Sequence, residues 1–172
     1  VTFTNKAASE MRERVADMVS KAAGKEITVC TFHSLCVRIL RTGIDRLGYK
    51  DNFTIYSGND QTGLIKQIII RKGGAQEKIE PGMVLSIISK AKNAGGDADS
   101  IQDPFIADVA RAYQNELRAQ NAVDFDDLLL LAERLLREFP DVCEICRKRW
   151  TRVTVDEFQD TNGLQMRLLQ QL

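Results

Sequence analysis

An alternating apolar segment that ends in two adjacent acids, Val-Thr-Val-Asp-Glu-Phe-Gln-Asp at residues 153–160, constrains this chain more than any other feature. The alternation predicts a buried β-strand, and such a strand delivers Asp156 and Glu157 to the edge of a sheet. In nucleotide-hydrolysing proteins, an acid at this place holds Mg²⁺ and its neighbour handles the attacking water. The alternative is an acidic turn whose carboxylates stabilise the N-terminus of a following helix.

Composition leaves most classes of soluble protein open. The chain has 172 residues, enough for one or two domains, with 24 Lys and Arg against 24 Asp and Glu. A nucleic-acid partner would therefore bind a local patch rather than the field of the whole protein. No apolar run approaches the ~18 residues of a membrane span, so we expect no membrane association and a cytoplasmic location.

Both ends of the chain have the pattern of interrupted elements. The first residues, Val-Thr-Phe-Thr, resemble a strand without an initiator Met, and the last nine resemble a helix with no stop signal. We therefore expect a fragment of a longer protein. Of the four cysteines, Cys143 and Cys146 have zinc-ligand spacing, but they fall in a predicted helix and the chain has one His. Reduced thiols are the better interpretation.

The order of predicted elements indicates an α/β fold. Residues 1–4 and 27–32 are predicted strands, and helices follow each: one capped by Asn5 and ended by Gly24, the next from His33 or Ser34 to Arg41. Strand, helix, strand and helix with short connections are typical of a parallel sheet with crossover helices.

The pattern changes to helices alone between residues 61 and 120. Helices are predicted over 61–71, from Pro81, and from Asp103-Pro104, with glycines at Gly73-Gly74 and Gly95-Gly96 as stops. This block resembles a helical insertion within an α/β domain.

The last fifty residues return to the α/β pattern. Asp124 and Asp127 predict a capping box, and the helix buries the stripe Phe125, Leu128, Leu131, Ala132 and Leu135 before Pro140 ends it. A short helix to Trp150 leads into the acidic strand at 152–155, and Thr161 or Asn162 caps a final helix.

Two further segments place polar side chains where a predicted strand passes into a helix. The first is Thr2-Phe3-Thr4-Asn5-Lys6-Ala7-Ala8, and the second is Thr31-Phe32-His33-Ser34. Backbone N–H groups at helix N-termini attract phosphate, and an aromatic ring can stack on a base. Taken alone, the first segment is better explained as an ordinary capped helix whose Phe3 is core. His33 has no acid nearby in sequence, so contact with a nucleic-acid backbone suits it better than a role as catalytic base.

These segments together resemble the superfamily 1 DNA helicases of the UvrD/Rep/PcrA type. Residues 2–14 resemble that family's motif Ia, and 31–34 its next DNA-contact motif. Asp124-Phe125-Asp126-Asp127-Leu128 resembles the segment where its chain returns from a helical insertion, and residues 155–162 resemble its motif II, the Walker B element. The matches occur in the family's order and span essentially the whole chain.

The resemblance implies a fold and roles for particular residues. Residues 1–50 and 123–172 would be two parts of a partial RecA-like parallel sheet (motor domain 1A, without its phosphate-loop strand), and 51–122 an inserted all-α subdomain, 1B. ATP and Mg²⁺ would be the cofactors. Asp156 would hold Mg²⁺ through water, Glu157 would activate the attacking water, and Gln159 would couple the phosphate state to DNA. The implied single-strand contacts are Phe3, Thr4, Asn5, Thr31, His33 and Ser34.

The implied parent is an ATP-dependent DNA helicase that moves 3′ to 5′ on single-stranded DNA and unwinds duplex at junctions in repair or replication restart. The phosphate loop would precede Val1 and further motor elements would follow Leu172, so we expect these 172 residues alone to be inactive. Two alternatives remain: a helicase-nuclease subunit of the RecB or AddA kind, and a non-catalytic DNA-binding or interaction module.

Overall fold

The structure is a computed structural model that describes residues 1–20, 24, 26–73 and 79–172. Helices dominate the described residues, and short strands pair in parallel. The helices are α1 (Asn5–Met18), α2 (Phe32–Gly43), α3 (Gly58–Arg71), α4 (Pro81–Asn93), α5 (Pro104–Ala119), α6 (Phe125–Glu138), α7 (Pro140–Arg149) and α8 (Gly163–Gln171). The strands are β1 (Thr54–Ile55) and β2 (Ala122–Val123), and short 3₁₀ turns cover Ile44–Leu47, Ala98–Ser100 and Phe158–Asp160.

A two-residue parallel ladder joins the two ends of the helical block. β1 pairs with β2 in the register Thr54 to Ala122 and Ile55 to Val123. No strand lies between them among the described residues, which agrees with the helices predicted for residues 61–120. The sequence did not predict β1 or β2, because two residues are too short a run for a periodic pattern.

The helical block has a hydrophobic core of its own. The apolar faces of α3, α4 and α5 meet there, with Ile65, Ile68, Val84, Tyr113 and Leu117 among its buried members. Its boundary with the rest of the chain follows the ladder, since Ala122 belongs to this core and Val123 to the other.

The other core is built from residues at both ends of the chain. α2 packs on α6, and α6 packs on α7 and α8, burying side chains that include Phe32, Ile39, Leu128, Leu135 and Leu168. The chain therefore leaves this core after residue 53 and returns to it at residue 123.

The predicted strands at residues 1–4, 27–32 and 152–155 are reduced to short extended segments. Thr2 and Thr31 form one parallel bridge, and Phe32 is already helical because the Thr31 hydroxyl caps α2. The acidic segment is extended but is not a buried strand, since Val153 is 37% exposed. A strand side chain is buried only when another element packs on its face of the sheet, and alternation alone does not show whether such an element is present.

Local helix signals were mostly right, with four corrections. α2 begins at Phe32 rather than at His33 or Ser34, because Thr31 is its cap. Thr4 rather than Asn5 caps α1, because Thr4 has the extended backbone and its hydroxyl accepts from Ala7 N. α1 ends at Met18, well before Gly24. Pro140 does not end α6; it is the first residue of α7, where its missing N–H costs nothing.

Several predicted helix ends are confirmed. Pro81 begins α4, Asp103 caps α5, and Asp124 and Asn162 cap α6 and α8. Gly73 and Gly95 have the left-handed backbone that suits a stop, whereas Gly74 lies outside the described residues.

The four cysteines are buried and none is in a disulfide. Within residues 1–20, 24, 26–73 and 79–172, no group of three or more His, Cys, Asp or Glu could hold a metal ion by itself. None of the helices in those ranges is long and apolar enough to cross a membrane.

Candidate functional site

Three extended segments meet side by side at the N-terminus of the chain. Thr2 N donates to Cys30 O at 3.1 Å, and Phe32 N donates to Thr2 O at 3.2 Å. On the other side, Val1 N donates to Thr154 O at 2.6 Å and Asp156 N donates to Val1 O at 2.9 Å. In both cases one residue bonds to two residues that flank its partner, which is the parallel pattern.

All three segments therefore end at one edge. The acidic segment is followed by Asp156, and the N-terminal segment is followed by Phe3. The segment that ends at Thr31 continues into α2. The Thr2 hydroxyl lies 3.5 Å from Asp156 Oδ2, a long contact that joins two of these ends. Residues 154 positions apart in sequence thus form a common edge, of the kind at which α/β proteins bind ligands.

The backbone at the second acid is unusual. Glu157 has φ 51° and ψ 47°, the left-handed region, in which a residue with a Cβ costs about 1–2 kcal/mol. Asp156 is partly buried and Glu157 is exposed, so the turn directs the two carboxylates to different surroundings. The Gln159 amide donates to Glu157 Oε2, which ties the third predicted residue to the second.

The donor set at this edge suits a hard cation that retains water or phosphate ligands. Mg²⁺ is commonly held by one or two carboxylates together with phosphate oxygens and water, and Asp156 and Glu157 offer carboxylate oxygens. A groove of about 530 Å³ runs beside Asp156, between α1 and the acidic segment, lined by Met11, Val15, Trp150 and Val153 among others. The open groove is also why Val153 is exposed.

The predicted nucleic-acid residues lie at two neighbouring helix N-termini. Phe3 is partly buried and packs its ring on that of Phe32, with centroids 5.3 Å apart. Thr4, Asn5 and Ser34 are exposed. Thr31 is 6% exposed and its hydroxyl accepts from Ser34 N, so its side chain serves as the cap of α2.

His33 has two neighbours that its sequence position did not reveal. Its ring lies 5.4 Å from that of Phe125, edge to face, and Asp126 is close enough to interact electrostatically. Burial lowers the pKa of His33 below its usual 6.5, and the nearby Asp126 carboxylate partly offsets this.

Phe125 was predicted to be part of the buried stripe of α6, and this was wrong. Its side chain is 50% exposed, because it occupies the first helical position and points past the core. The i, i+3 spacing to Leu128 suggested burial, and no local signal in the sequence distinguishes the two outcomes. Phe125 and His33 together form an aromatic pair that is partly open to solvent.

A buried ionic cluster was also missed. Lys92 Nζ donates to Asp124 Oδ2 and to Asp127 Oδ1, each at 2.7 Å, and Tyr113 Oη donates to Asp124 Oδ2 at 3.0 Å. Burial lowers the pKa of Lys92, but the two carboxylates outweigh it, so this pKa lies above its ordinary value. A signal was present, because Val84, Ile88 and Lys92 lie at steps of four on one buried face.

The comparison with known proteins agrees with the sequence motifs. A family model described as the UvrD/REP helicase N-terminal domain matches residues 1–172. The chain belongs to this family. Proteins named ATP-dependent DNA helicase PcrA from Bacillus subtilis and Staphylococcus aureus are each 40% identical to it, over 183 and 179 residues, and one from Staphylococcus epidermidis is 38% identical over 179.

Each of these three alignments includes 100% of this chain and 24% of the relative, so the chain spans about a quarter of the length of the relatives it matches. The predicted resemblance is therefore confirmed at the level of the family.

Proposed function

We propose that this chain is part of an ATP-dependent DNA helicase that couples ATP hydrolysis to 3′–5′ movement along single-stranded DNA and to unwinding of duplex at junctions. The observation that carries the proposal is the common edge, where Asp156 and Glu157 follow an extended segment hydrogen-bonded in parallel to the N-terminal one. Family membership supports it, because the relatives are named as ATP-dependent DNA helicases.

In this proposal the acidic residues act on the nucleotide. Asp156 would hold Mg²⁺, which would supply positive charge to neutralise the phosphates. Glu157 orients and deprotonates the attacking water, for which its exposed carboxylate is suited. Gln159, bonded to Glu157, transmits the state of the phosphate to the DNA-contacting side.

The DNA-contacting side comprises the two helix N-termini. Phe3, Thr4, Asn5, His33 and Ser34 contact single-stranded DNA, and the exposed hydroxyls of Thr4 and Ser34 suit phosphate oxygens. Thr31 contributes through its cap on α2, which fixes the positions of His33 and Ser34. Phe125 adds a half-exposed ring beside His33, suited to stacking on a base.

The domain organisation is part of the proposal. Residues 1–50 and 123–172 form two parts of RecA-like motor domain 1A, and 51–122 form the inserted 1B subdomain. The two separate hydrophobic cores support this division. A role in repair or replication restart and a cytoplasmic location complete the proposed function.

The decisive experiment replaces Glu157 by Gln in the full-length protein. Loss of the general base is expected to lower ATP turnover at least ~100-fold, while the binding of ATP and of single-stranded DNA is retained. Glu144→Gln, the same change at an exposed acid on α7, is the control and should leave turnover unchanged. Normal turnover in Glu157→Gln would show that the acidic edge is structural.

A second measurement concerns the 172 residues alone. They contain no glycine-rich loop followed by Lys and Ser or Thr, the element that cradles ATP phosphates. The purified chain is therefore expected to release no phosphate from ATP, with or without DNA. DNA-stimulated turnover by the isolated chain would contradict this part of the proposal.

A further inference from the structure

Buried polar contacts join the two hydrophobic cores where the last turn of α4 meets the first turn of α6. Lys92 donates to Asp124 and Asp127 at 2.7 Å, and Asn93 Nδ2 donates to Asp126 Oδ1 at 2.7 Å. The four residues at the start of α6 are 124–127, and three of them accept these hydrogen bonds. The fourth is Phe125.

The contacts to Lys92 are almost completely enclosed. The Lys92 side chain is 7% exposed, and those of Asp124 and Asp127 are each 1% exposed. Gln114, on α5, adds a donor to Asp127 Oδ2 at 3.2 Å. A fully partnered buried network of this kind has few alternative geometries, because any displacement leaves a charge without a partner.

The same turn of α6 carries Phe125, one member of the aromatic pair. The backbone of Phe125 cannot move relative to those of Asp124 and Asp126 without breaking the capping box, in which Asp127 N donates to Asp124 Oδ1 at 2.8 Å. The orientation of its ring toward His33, 5.4 Å away, therefore depends on where Lys92 and Asn93 hold this turn.

We propose that Lys92 and Asn93 are positioning residues: from the helical block they fix the first turn of α6, and thereby hold Phe125 against His33. The role of that pair in contacting single-stranded DNA rests on the proposed function. In this inference the helical block has a positioning function, because its α4 sets the geometry of a contact surface that belongs to the other core.

The geometric part can be tested without DNA, because His33 is the sole histidine of the chain. The ring current of Phe125 displaces the His33 Cε1–H resonance, and Phe125→Leu calibrates that displacement. In Lys92→Met and Asn93→Ala the resonance is expected to move toward its position in Phe125→Leu. Lys90→Met, the same change at an exposed lysine of the same helix turn, should leave it in place.

A paired variant guards against unfolding. Lys92→Met leaves two buried carboxylates without their cation, whereas Lys92→Met with Asp127→Asn removes one charge of each sign and keeps the net charge of the protein. The His33 resonance should move in the folded paired variant as well. An unchanged resonance in both the paired variant and Asn93→Ala would overturn the proposal.

The functional part is read from the affinity of the full-length protein for a fluorescein-labelled oligo(dT), measured by anisotropy. The paired variant should bind about tenfold more weakly, the size expected for loss of one stacked base. A displaced His33 resonance with an unchanged affinity would overturn the positioning role. If the unaltered full-length protein fails to bind oligo(dT), the proposed function fails, and the resonance comparison still decides whether Lys92 and Asn93 hold Phe125.

Discussion

Replacing Lys92 by Met should strongly destabilise the chain. Lys92 Nζ lies 2.7 Å from Asp124 Oδ2 and 2.7 Å from Asp127 Oδ1, and no side chain of the three is more than 7% exposed. Removing one partner of a buried ion pair costs about 3–5 kcal/mol, because the remaining charge is left uncompensated. Two carboxylates are left here, while Tyr113 and Gln114 still donate to them, so we expect about 3–4 kcal/mol.

The assay is equilibrium unfolding in urea, followed by circular dichroism. Lys90→Met is the control for loss of a lysine and should change the free energy of unfolding by less than ~0.5 kcal/mol. Adding Asp127→Asn to Lys92→Met should recover ~1 kcal/mol or more, because it removes one of the uncompensated charges. A loss below ~1 kcal/mol in Lys92→Met would refute the reasoning, since that is the value of an exposed ion pair.

Two further predictions concern the core and the histidine. Gly43→Ala should lower the free energy of unfolding by about 1–3 kcal/mol in thermal or urea unfolding, because the added Cβ would lie 2.9 Å from Val142 Cγ2. Gly63→Ala is the control: this helical site has nothing within 4 Å, so the change should raise the free energy of unfolding by up to ~1 kcal/mol. A proton NMR titration should give His33 a pKa below 6.5, and Asp126→Asn should lower this pKa further, because it removes the neighbouring carboxylate. As the pH falls, His33 is protonated in the unfolded chain before it is protonated in the folded chain. The contribution of neutral His33 to stability should therefore be fully present above pH 6.5 and should be lost as the pH drops through the folded pKa. A His33 pKa above 6.5 would contradict this.

Features that depend on neighbours in sequence could be predicted from the sequence. The capping box of Asp124 and Asp127, the proline at the start of α4 and the Asn162 cap of α8 all arise from contacts within four residues, so the residue types suffice. The order of the motifs was enough to identify the family, because each motif is a short run of residues with fixed spacing.

Features that depend on distant residues could not be predicted in the same way. The sequence proposed a buried acidic strand, but the burial of Val153 depends on what covers it. It likewise assigned Phe125 to the core, whereas the packing of α2 on α6 exposes its ring beside His33.

The sequence by itself therefore determined most of the helices, several of their caps, the acidic pair and the family of this chain, because these depend on local spacing. The tertiary structure alone decided that Asp156 adjoins Thr2, and that Lys92 is paired with two aspartates rather than facing solvent. The physical reason is that the free energy of burying a charge or a strand edge depends on its hydrogen-bond and charge partners. Here those partners lie more than 30 residues away in sequence, and only the fold brings them together.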